Sequence, residues 1–463
     1  MPTLQALLIR PPRPAAEQSS TPPPRQPVRA TATLFFVVGV LLGSWASVVP
    51  AVSARTQIDH AELGLALLGM AAGALAGMQV AGPWSARWGA ARTSLVTVGV
   101  ASTVVALPTL ATSLPSLTLA LALFGAATGS ANVAVNALGV ELQRVAQRPL
   151  MSMLHACFSF GGLAGAVVGG LVTGALATPL HLMLIGTVAL MATAATRSPL
   201  TGRPTSNVAT EAAPQPFSAH DGGPDPRLLV LMLGAAAACT AVSEGAVTDW
   251  GSLHLRETVG ATPSMAAWGF AAFSLAMGSA RLAGRRLVVR FDDTPVLVWG
   301  AAVGSAGMLA AALAPTAAIA IAGFLLAGLG VANVFPLAIG RAGLLAGTRG
   351  VARASTVGYT GLLGGPPVIG LLAEVWGMRA ALAAVAGLVL TVAWLATAVE
   401  GRLQGRHTVA SALREHARAR LVALARTGER SMRSHGESLR TLLDVPEATP
   451  ANRAGPIRDT VAS

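Results

Sequence analysis

Long apolar segments, separated by short polar ones, recur along most of this chain. A helix of about 20 apolar residues is long enough to cross the hydrocarbon core of a membrane. The pattern therefore predicts an all-α membrane protein with twelve transmembrane helices in two pseudo-symmetric six-helix bundles. The predicted spans are 31–54, 62–84, 93–113, 115–139, 150–175, 180–196, 227–250, 263–284, 294–314, 317–340, 354–373 and 379–399.

The spans fall into two groups of six because a polar segment with six prolines interrupts them. We expect an N-terminal bundle over residues 31–196, a cytoplasmic linker over 197–226 and a C-terminal bundle over 227–399. Residues 1–30 are polar and rich in proline, which predicts a disordered cytoplasmic arm. Residues 400–463 form an Arg-rich tail, predicted to be cytoplasmic.

The composition agrees with a membrane protein, since 11% of the residues are charged, against about 25% in soluble proteins. The formal net charge of +12 raises the question of nucleic-acid binding. However, the arginines cluster at the ends of the spans and in the tails, where membrane topology already explains them. The expected partners are the lipid bilayer and a small-molecule substrate, with no nucleic acid, and the expected oligomeric state is a monomer.

The distribution of arginines predicts the orientation, because loops on the cytoplasmic side carry an excess of positive charge. With the N-terminus inside, the external loops hold only Arg55, Arg256 and Arg379. Both termini are therefore expected in the cytoplasm, with the chain in the cytoplasmic (inner) membrane. The cytoplasmic loops then hold Arg87, Arg92, Arg144, Arg148, Arg197, Arg203, Arg281, Arg285, Arg286, Arg290, Arg341, Arg349 and Arg353.

An internal repeat relates the two halves. The run GSANV at 129–133 returns as GVANV at 330–334, and three glycines of the fifth span return two hundred positions later in the eleventh. Duplicated halves with a substrate site between them are typical of secondary transporters. Small residues allow close helix packing, and proline interrupts helical hydrogen bonding, so a bend is expected at Pro366 and Pro367. The predicted packing residues are Gly161, Gly165, Gly170, Gly361, Gly365, Pro366 and Gly370.

Several motifs resemble those of a known family. The segment GPWSARWGAAR at 82–92 is similar to the loop between helices two and three of the major facilitator superfamily, with Ala86 where that loop usually has Asp. The residues that carry this likeness are Gly82, Arg87, Gly89 and Arg92. The runs GSWAS at 43–47, NVAVNA at 132–137, LHACFSFGG at 154–162, EGAVTDW at 244–250 and GYTGLLGGPP at 358–367 resemble the MosC-like branch of that superfamily. The resemblance implies solute transport, with helices 1, 4, 7 and 10 lining the cavity.

Ionisable residues within the spans are the candidates for coupling chemistry. A charged side chain in the membrane interior costs about 2.5–3.5 kcal/mol on insertion scales and usually faces a cavity or a partner. Glu244 is such a residue, and burial favours protonation of a carboxylate, as coupling to a proton gradient requires. Asp249 and His155 are further candidates for H+ coupling. For Glu244 the alternatives are direct substrate contact and a structural hydrogen bond or ion pair. The alternative is interface capping or gating for Asp249, and packing for His155.

The remaining candidates are polar or aromatic residues on spans that the resemblance assigns to the cavity, or at a comparable depth. Interhelical hydrogen bonds are the alternative role for the amides, and interface anchoring is the ordinary role for the aromatic side chains. The substrate-cavity candidates are Trp45, Asn132, Asn136, Asn333, Tyr359 and Trp250.

The sequence contains no Gly-Lys-Ser/Thr phosphate loop, metal cluster or nucleophile motif, so neither an enzyme, a cofactor nor a metal is expected. Cys157 and Cys239 lie in apolar segments without metal-ligand spacing. We expect a proton-coupled carrier. Its solute is expected to be small and neutral or weakly cationic, because no Arg is predicted deep in a span to bind an anion. A multidrug or metabolite efflux antiporter is the alternative in the same class. A non-transporting membrane sensor is the alternative from a different class.

Overall fold

The computed structural model describes residues 25–147, 150–201 and 226–403. Twelve long helices make up most of these residues, which confirms the predicted all-α fold class. They are α1 (Arg25–Thr56), α2 (His60–Trp88), α3 (Ala90–Leu110, ending in a 3-10 turn), α4 (Leu114–Ala146), α5 (Met151–Val172), α6 (Thr178–Ala195), α7 (Pro226–Thr258), α8 (Pro263–Phe291), α9 (Asp293–Leu313), α10 (Ala317–Gly347), α11 (Arg349–Trp376) and α12 (Met378–Leu403).

Length and composition qualify eleven of these helices, over the described residues, to cross a membrane. The remaining helix is α8, and four arginines occupy its second half. It is nevertheless one of the longest helices, and its buried residues pack against α5 and α10. The arginines of α8 therefore belong to a transmembrane bundle rather than to a loop alone.

Several helix boundaries differ from the predicted spans. Helix α1 begins at Arg25, within the segment predicted as a disordered arm, and residues 1–24 lie outside the described part. In the predicted linker, Arg197–Thr201 is helical and residues 202–225 lie outside the description. The predicted tail lies outside it from residue 404 onward. The longer helices reflect polar turns that continue beyond the apolar stretch of each span.

Because consecutive helices are antiparallel, the bundle has two faces. We call the face where α1 begins, at Arg25, and α2 ends, at Trp88, the proximal face. The distal face is the one where α1 ends, at Thr56, and α2 begins, at His60. The N-terminal half comprises α1–α6 and the C-terminal half comprises α7–α12.

Glycines set the closest helix contacts within each half. Helix α1 packs on α5, and a methyl group added at Gly161 or Gly165 would overlap backbone atoms of α1. The corresponding pair in the other half is α7 on α11, where a methyl group at Gly361 would overlap the Ala238 carbonyl oxygen. Gly365 is in ordinary contact with Val242. The repeated glycines thus mark equivalent α1–α5 and α7–α11 interfaces.

The two halves contact each other through two further equivalent pairs, α2 with α11 and α5 with α8. At the distal end of the first pair, a methyl group at Gly370 would overlap the His60 carbonyl oxygen and approach Gly64. At the distal end of the second, the Ser264 hydroxyl donates to the Gly170 carbonyl oxygen at 2.6 Å. The distal ends of the halves are therefore in direct contact.

Helices α7 and α10 depart from regular α-geometry. Helix α7 widens to π-helical turns at Ala246–Trp250 and again at His254–Thr258. Helix α10 is interrupted at Ala332 and Asn333. In α11, Pro366 and Pro367 lie within the helix without non-helical backbone angles, so the expected bend does not break it. Two of these irregularities, in α7 and α10, lie next to polar side chains in the middle of the bundle.

Candidate functional site

An ion pair occupies the middle of the bundle, between α7 and α8. The Arg281 guanidinium donates to the Glu244 carboxylate, with 3.3 Å between Nη2 and Oε1. The Arg281 side chain is 12% exposed and that of Glu244 32% exposed. Glu244 is about 27 Å along α7 at a rise of 1.5 Å per residue, so the ion pair lies well away from both ends of that helix.

Arg281 contacts four helices in total, including its own. Its Nη1 donates to the Ser159 hydroxyl of α5 at 3.0 Å, and its Nε lies 3.4 Å from the Ala332 carbonyl oxygen of α10. Ser159 belongs to the N-terminal half, whereas Glu244 and Ala332 belong to the C-terminal half. The guanidinium therefore joins the two halves at the level of the ion pair.

The Ala332 carbonyl is available because of the local sequence. In a helix this oxygen would accept a hydrogen bond from the N–H group four residues later, but that residue is Pro336, which has none. Helix α10 is interrupted at Ala332 and Asn333, and Arg281 supplies the missing donor. The proline thus produces an acceptor for a charged side chain in the bundle interior.

This position of Arg281 corrects the sequence-based expectation. We placed Arg281 near the cytoplasmic end of the eighth span and counted it with the arginines of the adjoining loop. Helix α8 instead continues ten residues further, to Phe291, and Arg281 contacts Glu244. The premise that no Arg lies deep in a span is wrong, so the preference for a neutral or weakly cationic solute loses its basis.

The three candidate asparagines make different hydrogen bonds. The Asn333 side-chain amide donates to the Ala280 carbonyl oxygen of α8 at 3.2 Å, next to Arg281. The Asn136 amide donates within α4 to the side-chain oxygen of Asn132 at 2.6 Å and to its backbone oxygen at 2.8 Å. Asn333 therefore lies beside the ion pair, whereas Asn132 and Asn136 bond to each other.

His155 and Tyr359 are both half-buried aromatic residues on helices that flank the interior. His155 stands edge-on to Phe35 of α1, with ring centroids 5.5 Å apart, and its carbonyl oxygen accepts a bond from Ser159. It is therefore one helical turn from the hydroxyl that contacts Arg281. The ring centroids of Tyr359 and Phe335 are 6.4 Å apart, and Phe335 lies on the C-terminal side of the interruption in α10.

A second polar contact joins the halves nearer the distal face. The indole nitrogen of Trp45 in α1 lies 3.4 Å from the Asp249 carboxylate of α7, and both residues are buried. One turn later, the Ser252 hydroxyl donates to the Ala46 carbonyl oxygen at 2.8 Å. The π-helical turn at Ala246–Trp250 begins two residues after Glu244, and Glu244 and Asp249 have different partners on different helices.

Trp250 and His60 form a further contact between the halves, close to the distal face. Trp250 is fully buried, with its ring 6.3 Å from that of His60. The His60 ring faces two carboxylates of the C-terminal half: Nε2 is 3.0 Å from Glu257 and Nδ1 is 3.4 Å from Glu374. We call His60, Glu257 and Glu374 the distal cluster. Trp250 packs beneath it and does not line an open surface.

The loop motif lies apart from this central site, at the proximal end of α2. Arg87 and Arg92 are exposed, and an added methyl group at Gly82 would meet no neighbouring atom. Gly89 separates α2 from α3 with a φ of 84°, a left-handed angle that favours glycine. The glycine at position 89 therefore has a conformational reason, while the arginines lie on the surface.

The central site combines a carboxylate on α7 with a guanidinium on α8. Over residues 25–147, 150–201 and 226–403, no group of three or more His, Cys, Asp or Glu side chains is placed to hold a metal ion. Several hydrogen bonds that join the halves lie at the level of Arg281 or nearer the distal face. Arg281 is the residue of this site that the sequence analysis did not count among its candidates.

Comparison with known proteins agrees with this architecture. The profile of the Major Facilitator Superfamily matches residues 31–243. An uncharacterised MFS-type transporter of Yersinia pestis is 33% identical over 375 residues, which cover 80% of this chain and 95% of the relative. The chain belongs to the major facilitator superfamily. The membrane protein MosC of Rhizobium meliloti is 30% identical to this superfamily member over 77% of the chain and 86% of MosC.

The fold of this superfamily member also matches solved structures. One is a bacterial homologue of the human lysosomal transporter Spinster, in an inward-facing, unoccupied conformation. The TM-score is 0.62 with 14% identity, covering 81% of this chain and 96% of that chain. The comparisons confirm the predicted family and its MosC-like relatives, together with the fold of a transporter.

Proposed function

We propose that the chain is a secondary active transporter that moves a small polar solute across the cytoplasmic membrane by alternating access, coupled to protons through Glu244. The observation that carries this proposal is the Glu244–Arg281 ion pair. It lies in the bundle interior, remains partly accessible, and is bonded to helices of both halves through Ser159 and Ala332. Ionisable groups inside a membrane bundle are typical of ion and substrate pathways.

The orientation follows from charge. The proximal face carries the exposed Arg87, Arg92, Arg285 and Arg290 at helix ends, and cytoplasmic surfaces carry the excess of positive residues. We therefore assign the proximal face to the cytoplasm, with both termini on that side. The distal face then meets the exterior of the cell.

The contacts between the halves support an inward-facing conformation. Trp45 with Asp249, Ser252 with Ala46, and the distal cluster all join the halves on the exterior side of Glu244. In alternating access, one half rocks against the other around a fixed central site. The distal contacts would break as the exterior side opens, so Asp249 and Trp45 act as part of an external gate.

Protonation of Glu244 would change the central site directly. While ionised, its carboxylate holds the Arg281 guanidinium by a charge-assisted hydrogen bond. A neutral carboxyl holds it much less strongly, so Arg281 becomes free to change partners. His155, one turn from Ser159, is the neighbouring titratable residue on α5. Proton binding is thereby linked to the bond between the halves.

Transport into proteoliposomes tests this proposal. A thermal-shift screen of sugars, polyols, amines and carboxylates with the purified chain first identifies a solute, whose uptake is then followed with and without an imposed pH gradient. We expect the gradient to drive accumulation, Glu244→Gln to abolish that drive, and solute counterflow to persist in the variant. The control is Glu141→Gln, which removes an exposed carboxylate of α4.

Two results would contradict the proposal in different ways. Uptake that is indifferent to the pH gradient would remove proton coupling. Normal uptake by Glu244→Gln with the same pH dependence as the unmodified chain would remove Glu244 from the coupling role, while leaving transport itself intact.

A further inference from the structure

In the described part of the chain, Arg281 has one charged acceptor, Glu244. Its other two acceptors, the Ser159 hydroxyl and the Ala332 carbonyl oxygen, are neutral. On the neighbouring helices, α10 contributes the neutral Asn333 amide and α5 contributes His155, whose charge is zero or positive. The next charged residue along α8 is Arg285, which is also positive.

This balance restricts what protonation of Glu244 can do. Once the carboxylate is neutral, the guanidinium carries a positive charge without a counter-charge in the bundle interior. Breaking a buried ion pair by removing one partner is strongly destabilising, because it leaves the other charge uncompensated. A proton therefore binds readily at Glu244 only if another negative group reaches Arg281.

We propose that the central site binds a small anionic solute of the carboxylate class, whose negative group replaces Glu244 on Arg281 when Glu244 is protonated. This inference rests on the proposed function and adds the substrate class. The site then takes up one proton together with one negative charge. When Glu244 releases its proton, the ionised carboxylate binds Arg281 again and displaces the solute.

The geometry of Arg281 suits this exchange. A guanidinium has five N–H donors in a planar fork, which can hold a carboxylate through two parallel hydrogen bonds. Arg281 uses one bond each for Glu244, Ser159 and Ala332. Release of Glu244 frees Nη2 for an incoming carboxylate, while Nη1 stays on Ser159 of the N-terminal half. The bound solute would thus sit next to the bond that joins the halves.

A cationic solute fits less well at the same place. It would have to bind beside the guanidinium, and protonation of Glu244 would leave two positive charges together. A neutral solute would leave Arg281 without a counter-charge. Among the three solute types, an anion alone restores neutrality at the moment when Glu244 accepts its proton.

Chemical rescue tests the inference without knowledge of the natural solute. Formate is a minimal carboxylate and serves as the probe. Three purified full-length proteins are compared: the unmodified chain, Glu244→Gln, and Glu244→Gln combined with Arg281→Gln. The concentration of sodium formate that stabilises each protein against heat is measured in neutral and in mildly acidic buffer. The double variant corrects for general effects of salt.

We expect formate to bind Glu244→Gln at least about tenfold more tightly than the double variant, a ratio that corresponds to about 1.4 kcal/mol. This binding should hardly change between the two buffers, since Gln does not titrate. The unmodified chain should bind formate weakly in neutral buffer and more tightly in acidic buffer. Glu244→Gln with Arg281→Lys should bind less tightly than Glu244→Gln alone, because Lys lacks the bidentate fork.

Equal formate affinity of Glu244→Gln and the double variant would overturn the proposal, and so would stronger stabilisation by formamide, the neutral counterpart of formate. Either result concerns binding at Arg281 alone. A failure of the proposed transport function would be recognised separately, as the absence of solute flux or counterflow in proteoliposomes that contain the unmodified chain.

Discussion

Single residues show how the chain accommodates polar groups in the bundle interior. Pro336 leaves the Ala332 carbonyl without its helical donor, and Arg281 supplies one. Asn333, beside the same interruption, donates to Ala280 of α8. An unsatisfied polar group costs several kcal/mol in a membrane. The interruption of α10 and the charge on α8 therefore stabilise each other.

Trp45 gives a test at the same scale. Trp45→Phe keeps an aromatic ring but removes the indole N–H that faces Asp249, together with part of the side-chain volume. Because loss of one partner of a buried polar group costs about 1–3 kcal/mol, we expect a lower thermal midpoint of the purified protein. Trp394→Phe is the control, since Trp394 is 66% exposed and its replacement should cost less than about 0.5 kcal/mol. Equal shifts for both variants would exclude a stabilising contact between Trp45 and Asp249.

The sequence allowed part of the central site to be predicted. Glu244 stood out because it is a lone acid in an apolar segment. Arg281 did not, because it lies among other arginines near the end of an apolar stretch, where a loop is the simpler interpretation. The bond between the two depends on how far α8 continues and on its rotation against α7. Both are decided by packing of distant residues, which hydropathy does not encode.

At the scale of the helices, irregular segments coincide with the polar sites. The π-helical turn of α7 contains Asp249, and the interruption of α10 contains Asn333. π-helical turns occur often at functional sites, and broken helices form the binding sites of many transporters. By contrast, the corresponding Asn132 lies in a continuous α4, whose sequence has Val135 in place of the proline.

Pro336→Ala tests the role of the broken helix. The new backbone N–H, four residues after Ala332, should bond to its carbonyl oxygen and displace Arg281. We expect a higher thermal midpoint, since a proline in a helix interior costs up to about 3 kcal/mol. Transport driven by a pH gradient should be about tenfold slower, which corresponds to 1.4 kcal/mol.

Pro83→Ala is the matched control for this change. Pro83 also lies within a helix, α2, but it is exposed and near the proximal end. Its replacement should leave transport unchanged. Pro336→Ala with an undiminished transport rate would show that the Ala332 acceptor is dispensable.

For the whole molecule, the distal cluster is the contact that must open for access from outside. Each nitrogen of the His60 ring faces a carboxylate, Glu257 on one side and Glu374 on the other. Both nitrogens are donors only in the charged imidazolium. The closed distal face is therefore strongest when His60 is protonated, and it weakens as the pH rises and the second proton leaves.

Distances between spin labels measure this change. Labels at Thr112→Cys and Pro315→Cys stand on exposed distal loops, one in each half. We expect His60→Gln, or alkaline buffer with the unmodified His60, to increase the population of longer distances between them. Alkaline buffer should have no further effect on His60→Gln. Unchanged distance distributions in every condition would show that the cluster does not hold the halves together.

The fold of the whole molecule was more predictable than its site. Long apolar runs suffice for counting helices, and the GSANV and GVANV repeats relate α4 to α10 in equivalent halves. The glycine register predicted contacts, but not partners: Gly161 meets α1 and Gly361 meets α7, whereas Gly170 and Gly370 meet the opposite half. The interface at which a glycine packs depends on its position along the helix.

The pairing of Arg281 with Glu244 has an energetic consequence for the cell. If one proton enters with one monoanion, a complete cycle moves no net charge, and the membrane potential does no work on it. The pH difference alone then limits accumulation, to about tenfold in solute concentration for each pH unit. Such a carrier would concentrate its solute in acidic surroundings and lose that ability at neutral external pH, however strongly the membrane is energised.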